Sequence, residues 1–293
     1  MKLDLVSVKQ TSHRQMQNKV PEVTVYFWII KILATTVGET AADFFSMTLH
    51  LGEAVTGVLM AAVLALALYF QFRAIKYVPA IYWLAVVLIS IVGTLLSDNL
   101  VDNLGVPLQV TTPLFAVLLG ITFSAWYFRE RTLSIHTIFT ARRERFYWLA
   151  ILATFALGTS GGDLLSEGLR WGYFNSLPIF AGAIGVVAFL HFAMRLNAVL
   201  AFSSAYVLTR PLGASLGDLM SQPRQLGGLG LGTVWTSAAF LLAILALVSF
   251  LAVSGIDRSE SQRPDGDQPA DPGLPSNVVT PEMLPIEGEM ETE

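Results

Sequence analysis

The sequence predicts an all-α polytopic membrane protein: eight transmembrane helices forming four parallel two-helix repeats, with both termini in the cytoplasm. Three observations carry this. The 293-residue chain is 54% hydrophobic and only 14% charged, against about 25% charged residues in soluble domains, and its mean hydropathy is +0.59. Eight apolar runs reach the length of about 18 residues that marks a membrane span. Finally, an apolar residue, a Gly and, five positions after the Gly, an Asp recur four times in register, with Gly-to-Gly intervals of 55, 65 and 55 residues. A fixed period of this size is the signature of an internal repeat.

The copies are Gly38 with Asp43, Gly93 with Asp98, Gly158 with Asp163, and Gly213 with Asp218. A small residue precedes each Asp: Ala42, Ser97, Gly162 and Gly217. Each Gly and the small residue four later share a helix face, and such small-xxx-small faces let helices approach closely in lipid. Gly38, Gly93, Gly158 and Gly213 are therefore expected at helix–helix contacts.

In chain order, residues 1–22 are polar, carry Lys2, Lys9, Arg14 and Lys19, and lack the apolar core and cleavage site of a signal peptide. They read as a cytoplasmic N-terminal segment. A first membrane half, residues 23–128, holds repeats one and two, with spans over 23–43, 54–72, 81–98 and 106–128. Residues 129–145 form a loop with five Arg, which accounts for the longer middle interval. The second half, residues 146–253, holds spans over 146–163, 174–194, 197–218 and 230–253. Residues 254–293 are rich in Pro, Asp and Glu and have little to bury, so a disordered acidic tail is expected.

Orientation follows from the Lys/Arg bias between loops. The N-terminal segment, the loops after the even spans and the tail carry fourteen Lys and Arg, whereas the opposite loops carry two, Arg170 and Arg224. A hydroxyl stands eighteen residues after the Gly in three repeats (Thr56, Thr111, Ser176), and Thr233 is its nearest equivalent in the fourth. Trp28, Trp83, Trp126, Trp148, Trp171 and Trp235 fall mostly near span ends, as in an interfacial belt.

The chemistry is concentrated in the repeated motif. A carboxylate within a span costs at least ~2.5–3.5 kcal/mol on insertion scales and needs a partner or water. Asp43, Asp98, Asp163 and Asp218 also stand at helix C-termini, where the dipole disfavours negative charge. They are either interfacial caps or, where the odd helices break after the small residues, four carboxylates converging around an axis. Glu39, one turn deeper than Asp43, and Lys31, deeper still, are functional candidates or a structural ion pair. Arg210, before Pro211 and Gly213, is a candidate partner for one of the carboxylates. His13, His50, His136 and His191 have no metal-ligand spacing, and the chain has no Cys, no HExxH, no GxSxG and no P-loop. No enzymatic activity and no cofactor are expected.

Four tandem two-span repeats, with TVGETAADF in the first copy and RPLGASLGD in the last, resemble a bacterial family of membrane-anchored proteins built on a repeat of unknown function. The resemblance covers about residues 23–253. It implies a location in the bacterial inner membrane and transfers no catalytic residue.

The leading expectation is a secondary transporter, since internal repeats, intramembrane carboxylates and interrupted spans are how such sites are built. Glu39, Asp43, Asp98, Asp163 and Asp218 would bind a cation or proton, with Lys31 and Arg210 as charge partners. Oxygen donors suit hard ions such as Mg2+, Ca2+, Mn2+, Na+ or H+. The expected partners are the lipid bilayer and a small inorganic cation or small solute, with a homo-oligomer left open; nucleic acid is not among them. A carboxylate-ringed channel, a non-transporting scaffold or sensor, and an intramembrane enzyme are the alternatives.

Overall fold

The odd helices begin on caps that the sequence supplies. Thr24 Oγ1 accepts from Phe27 N at 3.3 Å, Thr140 Oγ1 from Arg143 N at 3.3 Å, and Asn197 Oδ1 from Val199 N at 2.9 Å. Pro79 opens the remaining one from its first turn, where a missing N–H costs nothing. The resulting computed structural model describes residues 18–135 and 138–258, all within one compact unit. The eight helices are α1 (Val25–Asp43), α2 (Glu53–Arg73), α3 (Pro79–Asp98), α4 (Leu108–Glu130), α5 (Ala141–Asp163), α6 (Gly172–Met194), α7 (Ala198–Ser221) and α8 (Thr233–Ser254). No strand occurs among the described residues. Most of the acidic tail and of the N-terminal segment lie outside them.

Seven of the eight helices are long and apolar enough to cross a membrane. The exception to the expected eight spans is α7. Ser203, Ser204, Thr209, Arg210, Ser215 and Asp218 dilute its apolar content, although its 24 residues give it sufficient length.

Of the two readings of the motif, the one in which the odd helices break after the small residues is not what is seen: they stay helical through the Asp. Asp43, Asp98 and Asp163 are the last α-helical residues of α1, α3 and α5, and each helix then widens into a π turn: Phe44–Thr48, Asn99–Asn103 and Leu164–Gly168. Such wider turns are rare and often mark functional positions. In the fourth repeat α7 simply continues to Ser221.

The helices close into a ring. α1 packs against α3 and α7, and α5 packs against the same two from the other side. The even helices stand outside: α2 on α3, α4 on α5, α6 on α7, and α8 back on α1. Each thus leans on the odd helix of the following repeat, with the last returning to the first. Their outer faces remain apolar and exposed, as at Val58, Phe192 and Val253, which suits contact with lipid.

The motif glycines set the spacing of the ring. Gly38 abuts Ser90, Gly93 abuts Phe155, Gly158 abuts Arg210, and Gly213 abuts Thr35. In every case the neighbour stands three positions before the Gly of the next odd helix, so one contact is repeated around the ring. A Cβ at Gly93 would lie 2.5 Å from Phe155 Cβ, closer than packed atoms tolerate.

The tryptophan belt is only partly realised. Trp171 and Trp235 are exposed, but Trp83, Trp126 and Trp148 are buried in the helical core. The reason is position: Trp83 and Trp148 lie on the packed odd helices, against Tyr82 and Tyr147. The hydroxyl expected at Thr233 is supplied instead by Thr236, buried in the first turn of α8 as Thr56, Thr111 and Ser176 are in theirs.

One end of the ring is fastened by the segments just before α1 and just after α8. Lys19, fully buried, donates to Glu144 Oε2 at 2.8 Å and to Phe72 O at 3.1 Å, while Gln71 Nε2 donates to Glu144 Oε1 at 3.2 Å. The N-terminal segment is therefore structural at its last residues. Glu22 N donates to Asp257 O at 2.9 Å, and Tyr77 Oη donates to Asp257 Oδ2 at 2.6 Å.

Two outcomes are expected. Gly93→Ala and Gly213→Ala should destabilise the protein by roughly 1–3 kcal/mol through overpacking, measured by thermal unfolding in detergent. Gly182→Ala, with open space around it, should instead stabilise by up to about 1 kcal/mol. The second concerns Asp257. Burial pushes its carboxyl above the usual range, outweighing the bond from Tyr77, which favours the charged form. A raised folded value means that this contribution to stability is complete below the unfolded value near pH 4 and is lost as pH rises through the folded one. Asp257→Asn should flatten that decline in melting temperature from about pH 4 upward. An unchanged pH profile would remove Asp257 as its cause.

Candidate functional site

Residues four apart on a helix lie one above another, and the inward face of each odd helix can be followed in such steps. Counted from the motif Gly, positions −11, −7, −3, +1 and +5 form five layers, each separated from the next by about 6 Å of rise. They contain Phe27, Tyr82, Tyr147 and Phe202; then Lys31, Val86, Ile151 and Tyr206; then Thr35, Ser90, Phe155 and Arg210. Glu39, Thr94, Thr159 and Ala214 follow, and the four Asp residues complete the series.

The four helices meet at Arg210. Its guanidinium, fully buried, donates through Nη2 to Glu39 Oε2 at 2.7 Å, to Thr159 Oγ1 at 2.6 Å and to Thr94 Oγ1. Nη1 donates to Thr35 O at 3.2 Å, and Thr94 Oγ1 donates to Glu39 Oε2 at 3.4 Å. One atom group thereby touches α1, α3, α5 and its own α7. The reason lies in size: a long side chain at −3 on one helix reaches the +1 residues of the other three. A guanidinium with several fixed donors can bind all of them.

Lys31 is not paired with a carboxylate, contrary to the expectation of a charge partner. Its Nζ is buried, has no hydrogen-bond partner, and lies 4.1 Å from the Phe155 ring centroid and 4.0 Å from that of Tyr206. Two turns of α1 separate it from Glu39, and Glu39 is already held by Arg210. The attraction of a cation to aromatic faces is what remains to it. Arg210 also stands 5.7 Å from the Phe155 centroid, so that ring serves both cations.

The Asp layer is less uniform. Asp43 and Asp218 are buried, whereas Asp98 and Asp163 are half-buried. Gln222 Nε2 donates to Asp43 Oδ2 at 3.4 Å. Asp98, Asp163 and Asp218 each lie near enough to Glu39 and Asp43 to interact with them electrostatically. Yet among the described residues no three His, Asp or Glu side chains come close enough to hold a metal ion. The structure brings the five carboxylates to one end of the ring without joining them in one coordination sphere.

The outer helices brace this end. Thr112 Oγ1 on α4 donates to Ser160 O at 3.0 Å, and Ser237 Oγ on α8 donates to Thr40 Oγ1 at 2.7 Å. Ser160 and Thr40 both stand two positions after their motif Gly. His191 is not part of the site; its Nδ1 is 2.9 Å from Leu196 O at the end of α6.

A sequence model for the family described as Repeat of Unknown Function (DUF347) matches four times, over residues 26–77, 81–132, 146–197 and 204–257. The chain belongs to this family. Its four matches coincide with the helix pairs α1–α2, α3–α4, α5–α6 and α7–α8. No curated relative and no solved structure matches the chain.

Thr94, Thr159, Phe155, Tyr82, Tyr147 and Tyr206 are site residues that the motif did not single out. Aligning the repeats upstream of each Gly, in steps of four, is the signal that finds them.

Removing one member of a buried ion pair leaves the other uncompensated, at a cost of about 3–5 kcal/mol. Glu39→Gln and Arg210→Met should each show a loss of that order in detergent unfolding. The double variant should lose clearly less than the two combined. Additive losses would mean that the pair is not energetically coupled.

Proposed function

We propose that this chain is a secondary transporter of the bacterial inner membrane, moving a small hard cation along the axis of the four odd helices. The observation that carries the reading is the buried Arg210–Glu39 pair at the point where all four helices meet. A single guanidinium and a single carboxylate close the axis there. An arriving cation has the same electrostatic claim on Glu39 as Arg210 has, so binding and release of the internal cation can alternate. The Asp43, Asp98, Asp163 and Asp218 layer is the attracting approach, one turn further along.

The repeats run parallel in this reading, with both termini inside. Support comes from the equal register of the five layers and the one Gly contact repeated around the ring. The acidic layer then faces outward. The protein acts without covalent chemistry or cofactor, with the bilayer and the cation as its partners.

A second reading has its own observation. Thr94 and Thr159 both accept from Nη2 of Arg210, and a pair braced in this way also suits a static staple in a membrane scaffold that recruits partners through its basic loop and tail.

Uptake of Na+, Mg2+, Ca2+ and Mn2+ into proteoliposomes separates the two. Transport should survive truncation after Arg258 and fall at least about tenfold, equivalent to about 1.4 kcal/mol, in Glu39→Gln. Asp43→Asn and Asp218→Asn, at the buried positions, should impair it more than Asp98→Asn and Asp163→Asn. If the parent protein moves none of these ions, or Glu39→Gln transports normally after verified insertion, the transporter reading falls.

A further inference from the structure

Below the Arg210–Glu39 pair, the inner faces carry protonatable groups that the cation reading leaves unused. They form a series. At the end fastened by Lys19, Glu22 and Asp257, Tyr77 Oη donates to Asp257 Oδ2 at 2.6 Å, and the Tyr77 ring lies 5.6 Å from that of Tyr82. Tyr82 and Tyr147 join hydroxyl to hydroxyl at 2.5 Å, both buried. Tyr147 and Tyr206 border one cavity of about 30 Å³, room for a water-sized hydrogen-bonding bridge. The Tyr206 hydroxyl is buried without a partner, and the Lys31 amine, 4.0 Å from the Tyr206 ring centroid, is equally unpartnered. One layer on, the Ser90 hydroxyl is again buried without a partner, and the next layer is Glu39.

Buried polar groups are almost always hydrogen-bonded, so each exception calls for an explanation. Three of them stand in the two layers between the Tyr82–Tyr147 hydroxyl pair and Glu39, where an unpartnered donor can hand on a proton. Ionisable groups inside membrane proteins commonly mark ion pathways and proton relays.

We propose that the inward faces of α1, α3, α5 and α7 form a proton pathway between Asp257 and Glu39, with Lys31 as its central station. It rests on the transport reading and names the counter-ion of that site. Each hydroxyl gives its proton to the next group and receives one from the group before, so every O–H is restored. Lys31 alternates between ammonium and amine, and Glu39 between carboxylate and carboxylic acid. One proton reaches Glu39 for each one taken up at Asp257, and it leaves past the Asp layer when a cation binds, which restores the Glu39 carboxylate. Arg210 keeps its proton throughout, and either a proton on Glu39 or an arriving cation frees it, so cation-for-cation exchange does not need the proton pathway. The titratable groups on helices around α1 are Tyr82 and Asp98 on α3 and Tyr206, Arg210 and Asp218 on α7. Across the ring stand Glu144, Tyr147 and Asp163 on α5, whose first turns also carry Arg142, Arg143 and Arg145; α8 carries none. Lys31 is the amine among them.

The test uses the full chain in liposomes loaded with a pH-sensitive dye, with Na+, Mg2+, Ca2+ or Mn2+ supplied outside and membrane potential clamped. Ion uptake by the parent should be accompanied by proton release. Lys31→Met should lower proton flux at least tenfold while retaining exchange of the same ion across the membrane. Lys31→Arg keeps the charge and the ring contacts but cannot give up a proton. It should behave the same way, which covers a folding failure of Lys31→Met. Tyr147→Phe, which keeps the ring, should also slow protons. A purely structural Lys31 predicts unchanged proton flux in Lys31→Arg, and that result overturns the pathway. Ion uptake by the parent without proton movement overturns the pathway but spares the transport reading. Proton movement without ion uptake does the reverse, and neither movement overturns both.

Discussion

One buried guanidinium governs this molecule. Arg210 lies where four helices meet, and a charge taken out of water must be matched by a partner or by hydrogen bonds. Glu39, Thr94 and Thr159 do that from three different helices. Their hold depends on the helices being close, and the helices are close because glycine stands at each contact. Spacing and electrostatics are thus two sides of one constraint. Opening the ring at any glycine would pull a donor or an acceptor away from Arg210.

The surrounding architecture follows. A ring of four polar-cored helices cannot face lipid directly at Ser, Thr, Lys or Glu, so the charged inner faces turn inward and the apolar even helices cover the outside. Because each even helix docks on the next odd one, no repeat buries its own surfaces alone. Repeat architectures share this property: a unit that cannot complete its core by itself is completed by its neighbour. Here the series closes on itself, with α8 against α1 and the backbone at Glu22 bonded to that at Asp257.

Much of this could be read from the chain. The motif gave the number of repeats, the helical character, the packing role of Gly38, Gly93, Gly158 and Gly213, and the placement of the Asp residues at the α-helical ends of α1, α3 and α5. The rest depended on relations that a linear reading does not contain. Nothing local tells α2 to prefer α3 over α1. Lys31 and Glu39 look like partners along one helix, but the competition is decided by Arg210, 171 positions from Glu39, and by rings on α5 and α7. The π turns after Asp43, Asp98 and Asp163 have no composition signature in common, since FFSMT, NLVDN and LLSEG share little beyond position. α7 reads as a span by length, while its polar residues serve the interior of the ring.

The lone Arg210–Glu39 pair also bears on symmetry. Four identical subunits arranged around the same axis would place four guanidiniums, or four carboxylates, at a single point, and neither could be neutralised. Repeats that differ in sequence within one chain avoid this, since one carries the cation and another the anion. The covalent linkage of the repeats is therefore what permits an uneven centre inside an even frame, and divergence at positions −3 and +1 records where that freedom was used.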